Sequence, residues 1–182
     1  EWHASESMPG YRWEGDLSSD KFITACFGMS VYYDHCADEA RKAEAAAFID
    51  RFIGRVVDND FRLVDVDGKM TLWGNFCPEL PHEPLNALEM LAGLKVAYHV
   101  TGKARYQRAY RHLIEEHHYD EEAITAKLLW PLEWRTSWDD HLAVKALYIL
   151  LHYETDRSLR IKYLMSLNRH WHDWRERDCS HP

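Results

Sequence analysis

"YHVTGKARYQRAY" (98–110) reads as the end of one helix, a glycine turn and the basic start of another. Gly102 supplies the residue type that commonly closes a helix in a left-handed conformation. Two other stretches keep the same order: "YDHCADEARKAE" from Tyr33 and "YETDRSLRIKYLM" from Tyr153. Each begins with Tyr, continues with a charged or imidazole side chain, turns, and enters a basic amphipathic helix. The three tyrosines are spaced by 65 residues (33 to 98) and 55 residues (98 to 153). A motif that returns at a similar spacing marks a repeat architecture. The repeating unit is a helical hairpin.

Apolar periodicity extends each hairpin. Phe22, Ile23, Cys26, Phe27, Met29, Ser30 and Tyr33 predict a helix over 19–36. Ala43, Ala46, Ala47, Ile49, Phe52, Ile53 and Val56 predict another over 38–58. Further helices are expected over 85–101, 103–117, 138–154 and 157–174. Between the first two pairs the period changes. "FRLVDVDGKMTLWG" (61–74) alternates around Asp67-Gly68 and predicts a β-hairpin. Pro78, Pro81 and Pro84 then keep 75–84 extended. Residues 118–136 read as a long connector. The expected fold is all-α: three helical hairpins with a small β-hairpin in one connector, forming one domain over 1–182.

Turns within each pair take about two or three residues, whereas connectors between pairs take roughly 20 or more, well above the usual median. Stacked hairpins send all their long connectors to one end. Long ordered connectors are common sites of function.

Composition narrows the function classes. Hydrophobic residues make up 46% and charged residues 29%, a globular balance. The net charge of -8, with no basic cluster, argues against nucleic acid as a partner. No apolar run approaches the roughly 20 residues of a membrane span. Cys26, Cys36, Cys77 and Cys179 form no C-x-x-C pair. No zinc ribbon or thioredoxin-type site is therefore expected, and no bound metal or cofactor is implied. Glu1 opens the chain without Met or an apolar leader, which predicts a fragment or processed form.

The connector end is rich in aromatics and acids. The first connector offers Tyr11, Trp13, Glu14, Asp16 and Asp20. The second offers Trp73, Asn75, Glu79, His82, Glu83 and Asn86. The third offers Trp130, Glu133, Trp134, Arg135, Trp138, Asp139, Asp140 and His141. Flat aromatics stack on the apolar faces of sugar rings, and carboxylates bond sugar hydroxyls, so the expected partner is a carbohydrate. Glycoside hydrolysis uses two carboxyl groups, one protonated and one ionised. Asp139 or Asp140, beside Trp138, is the candidate acid; Asp16 or Asp20 is the candidate base. Tyr11, Trp13, Trp73, His82, Arg135 and Trp138 are the candidate substrate contacts, with Arg135 suited to a uronate. His141 or His82 acting as a base would instead give a lyase or epimerase. A helical-repeat domain that binds glycan or protein without turnover is the third reading.

Local structure accounts for some of these residues without a ligand. Ser18 or Ser19 suits a helix N-cap, and Asp20 suits the first turn that follows. Ser137 with Asp140 resembles a capping box. Asp16 precedes the cap and has no such local reason. The histidines of "HWHDW" (170–174) face different sides of a helix, and His117-His118 has poor ligand geometry.

"YRWEGDLSSD", "FRLVDVDGKMTLWG", "LNALEMLAGLKVAYHVTG", "RYQRAYRHLI" and "SWDDHLAVKALYILLHYETDRSLRIKY" together resemble segments of six-hairpin glycosidase-like proteins, in particular a bacterial group among them. The resemblance implies an (α/α)6 toroid and activity on uronic-acid-containing glycans. Leu17 and Lys21 depart from the family's opening pattern, which has threonine and an acid there. Three hairpins make half of such a ring. The resemblance thus implies half or more of an α/α toroid, completed by a missing second half or by self-association.

Overall fold

The expected turn at Gly102 is present: its φ is 66°, and its N–H donates to the Tyr98 carbonyl at 2.8 Å. The computed structural model describes residues 2–126 and 137–178. Among them are seven helices: α1 (Ser19–His35), α2 (Glu39–Asp58), α3 (Pro84–Thr101), α4 (Ala104–Glu115), α5 (Tyr119–Thr125), α6 (Ser137–Tyr153) and α7 (Arg157–Asp178). The pairs α1–α2, α3–α4 and α6–α7 are the three hairpins. The protein is all-α with small β-hairpins at its connector end.

Two elements were not expected. Strands β1 (Trp2–Ala4) and β2 (Arg12–Glu14) pair antiparallel ahead of α1, with Trp2 opposite Glu14. Three-residue strands are too short for their alternation to be read. The expected connector over 118–136 begins instead with α5. His118 adopts a left-handed φ of 57° and re-aims the chain. Its carbonyl accepts the N–H groups of Glu121 and Glu122. Asp120, Glu121 and Glu122 then fill the first turn of α5, where the helix dipole favours negative charge.

The expected hairpin forms from β3 (Arg62–Val64) and β4 (Met70–Asn75). Gly68 has a φ of 81°, and the Asp67 carboxylate accepts the Lys69 N–H at 3.0 Å. This is turn chemistry, with no calcium-loop pattern.

Helix α3 is the centre of the molecule. It is apolar nearly all round and buried from Ala87 to Ala97, as such a helix must be. It packs against α1, α2, α4, α5 and α6. Gly93 permits the closest approach: a Cβ there would meet Phe22 Cζ at 2.6 Å. Helices α1 and α6 also touch each other, through the Phe27 and Tyr148 rings at 5.3 Å and a Lys145 to Thr24 hydrogen bond of 2.9 Å. Along an arc of a six-membered ring, the second inner helix would separate the first from the third. Here the three inner helices close into a triangle, with α2, α4, α5 and α7 outside it. Helices α6 and α7 leave Val144, Tyr148, Ile161, Leu164, Met165 and Trp171 exposed. No described helix is long and apolar enough to cross a membrane.

The repeated tyrosine motifs meet at the short-turn end, one residue from each hairpin. Asp34 of α1 accepts the His99 Nε2–H bond of α3 at 2.8 Å and the Tyr153 hydroxyl of α6 at 2.7 Å. Burial opposes the charge of Asp34, but these two bonds hold its pKa below the ordinary value. Nearby, Lys95 and Glu154 form a buried ion pair at 2.7 Å. Tyr110 and the N–H groups of Thr155 and Asp156 also donate to Glu154, so its lone pairs are used. Each hairpin thus contributes one side chain to a shared polar clasp.

Candidate functional site

The N-terminal ends of α1, α3 and α6 lie at the opposite end of the triangle. Ser19 and Asp20 open α1, Glu89 lies in the second turn of α3, and Trp138 and Asp139 open α6. These residues form the candidate site. Glu89 was not among the residues singled out from the sequence.

Glu89 is fully covered, at 0% exposure. Neither of its carboxylate oxygens has a hydrogen bond of normal geometry among the described residues. Its pKa is pushed well above the ordinary 4.5, first by desolvation and then by the charges of Asp20 and Asp139. Ser19 and Lys145 act in the opposite direction and do not win. A carboxylate in an apolar interior, with only the Ser19 hydroxyl among the described residues to bond it, is costly to leave charged. Burial and the charges of Asp20 and Asp139 thus both favour the neutral form of Glu89. Three helix N-termini converge there, and their partial positive charge favours the two aspartates.

Asp20 is fixed by the Trp138 indole N–H, which donates to its Oδ2 at 2.9 Å. That bond orients the tryptophan. Its ring is 63% exposed and offers a flat apolar face beside the acids. Lys145 lies one helical turn or two below Asp139 on α6 and donates to Thr24 of α1. The local expectations for the cap hold in part. Ser18 occupies the N-cap position of α1, but its hydroxyl makes no capping bond.

The other expected site residues are engaged elsewhere. Asp16 has a φ of 62°, and its Oδ1 accepts the Leu72 N–H at 2.6 Å. Its own N–H donates to Asp65 at 2.7 Å. Asp16 thus rivets the first connector to the β3–β4 hairpin, which is a structural reason the sequence did not disclose. Asp140 is buried and faces His170 of α7 at 3.5 Å, so it belongs to the α6–α7 contact. His141 is exposed and lines a cavity of about 190 Å³ with Val144, Leu167 and Trp171.

His82 has both ring nitrogens engaged. Its Nδ1 meets the Leu80 carbonyl at 2.9 Å and its Nε2 meets Glu122 at 3.1 Å. Both partners are acceptors, an arrangement that favours the protonated ring. Burial works against that charge, but Glu122 and Leu80 raise the pKa of His82 above 6.5 overall. Trp13 stacks on His3 with centroids 4.3 Å apart, and Tyr11 is exposed beside it in the chain. Trp73 is exposed over a shallow cleft shared with Pro81, Glu83 and Asn86. Arg135 lies outside the described residues.

The structure thus brings Asp20, Trp138 and Asp139 together around Glu89. The signal for Glu89 was present in "LNALEMLAGLKVAY" (85–98), where Glu89 and Lys95 are the only charged residues. Lys95 found an ion-pair partner; Glu89 found carboxylates. No protein-family model, curated protein or solved structure matches the chain.

Proposed function

We propose that this end of the molecule performs acid–base chemistry on a carbohydrate, with glycoside hydrolysis as the reaction. The observation that carries the reading is Glu89: a fully buried carboxyl whose pKa is pushed up by desolvation and by Asp20 and Asp139. Glycoside hydrolysis needs one carboxyl that keeps its proton and one that does not. Glu89 holds the proton. Asp139, part-exposed on the first turn of α6, relays it to a glycosidic oxygen at the surface. Asp20, oriented by Trp138, serves as base or nucleophile. The exposed Trp138 ring stacks on the sugar. The substrate class is a uronic-acid-containing glycan, with Lys145 as the cation beside the acids.

The complete coverage of Glu89 favours a second reading, a non-catalytic helical domain that binds glycan or protein. Turnover separates the two. Purified protein is incubated with a panel of neutral and uronate glycans, and new reducing ends and the absorbance of unsaturated uronates are followed. Hydrolysis predicts reducing ends without unsaturation. Glu89→Gln, Asp20→Asn and Asp139→Asn then each lower kcat by about 10² or more, as loss of an acid or base does. Unsaturated product would point to a lyase with His141 as base. Binding without turnover would establish the second reading, and cleavage that survives all three substitutions would remove the site.

A further inference from the structure

Far from the carboxylate site in sequence, the end of α4 carries "HLIEEHH" (112–118). His117 and His118 are adjacent and cannot share a metal well. The fold gives His117 different partners. His112 and Glu116 are four residues apart on one helix face, and His112 Nδ1 lies 3.0 Å from Glu116 Oε1. The left-handed His118 follows, and its N–H closes on the Ile114 carbonyl at 3.2 Å. This leaves His117 beside His112, with ring centroids 4.8 Å apart at an interplanar angle of 82°. One ligand atom from each of His112, Glu116 and His117 falls within 4.8 Å of the others.

We propose that His112, Glu116 and His117 bind a divalent transition metal, with Zn2+ as the best match. Two imidazoles and a carboxylate are ligands that Zn2+ takes at about 2.0–2.2 Å. All three side chains are at least partly exposed, so they can turn the short remaining distance onto an ion. A lone imidazole pair in water would lack the third ligand; Glu116 supplies it and neutralises part of the charge. Three protein ligands leave a fourth tetrahedral position open. His112 also borders a cleft of about 340 Å³ lined by Asp60, Arg62, Cys77 and Glu79, so the open position has room for water or a small anion. Mg2+ prefers an all-oxygen octahedron and fits these ligands poorly. The site stands independently of the chemistry proposed for Glu89.

Isothermal titration of the full chain with Zn2+, and with Mg2+ for comparison, tests the assignment. The expected result is one tight equivalent of Zn2+ and none of Mg2+. His112→Ala and His117→Ala each weaken that equivalent by at least about tenfold, since even outer residues of metal sites cost that much. His118→Asn, which tolerates the left-handed backbone, leaves it unchanged. Absence of a tight equivalent, or one that survives both alanine variants, overturns the proposal. So does an equivalent lost in His118→Asn but kept in His112→Ala.

Discussion

At the scale of single residues, the same side-chain type serves opposite ends. Asp16 and Asp20 stand four apart, one ahead of α1 and one in its first turn, yet Asp16 holds backbone and Asp20 joins the acid cluster. Substitution separates these roles. Asp16→Asn keeps an acceptor for the Leu72 N–H and a side chain that tolerates positive φ, so stability and activity stay near wild type. Asp16→Ala loses both, and chemical denaturation should show a loss of about 1–2 kcal/mol. His82 gives a pH-dependent expectation. Its folded pKa is raised, so its contribution to stability is fully present below its unfolded value of 6.5. The contribution is lost as pH rises through the folded pKa. Thermal melts across that window should show declining stability, and Glu122→Gln should flatten the decline. Glu89 acts in a lower window. Its raised pKa makes the native state progressively less favourable as pH climbs above 4.5. Glu89→Gln should therefore raise the Tm at neutral pH, and raise it less at acid pH.

At the scale of elements, regular periodicity was readable and short or bent pieces were not. The six long helices follow from apolar spacing, and the β3–β4 hairpin follows from Asp67-Gly68. Helix α5 was hidden because seven residues hold too few turns for a period, and because its start depends on a left-handed histidine. The N-terminal hairpin was hidden for a similar reason. The role of Asp16 was hidden because its partner Leu72 is 56 residues away. Glu89 was different: its position in an apolar helix was visible, but charge alone did not say whether it would be paired. Lys95, in the same helix, reached Glu154. The β3–β4 hairpin offers a test at this scale. A Cβ on Gly74 would sit 2.2 Å from Thr71 Oγ1 and 2.4 Å from Leu63 Cβ. Gly74→Ala should destabilise by about 1–3 kcal/mol or more, read from the denaturation midpoint.

At the scale of the whole molecule, two polar assemblies cap the ends of one apolar triangle. One end is satisfied. Asp34, His99 and Tyr153 clasp the three hairpins, and Lys95 with Glu154 fills the space beside them. Removing one partner there leaves a buried charge alone, so Lys95→Met should cost about 3–5 kcal/mol in denaturant unfolding. At the other end Glu89 sits under Asp20 and Asp139 with no ion-pair partner among the described residues. A fold that pairs its buried charges at one end and opposes them at the other has unequal ends, and the opposed end is where proton transfer is proposed. The proposed function thus depends on the state of one proton. A carboxyl-carbon NMR titration, with the Glu89 signal assigned by its loss in Glu89→Gln, measures that state directly. The account predicts that Glu89 titrates well above the ordinary carboxylate range. A Glu89 signal that titrates in the ordinary carboxylate range would contradict it.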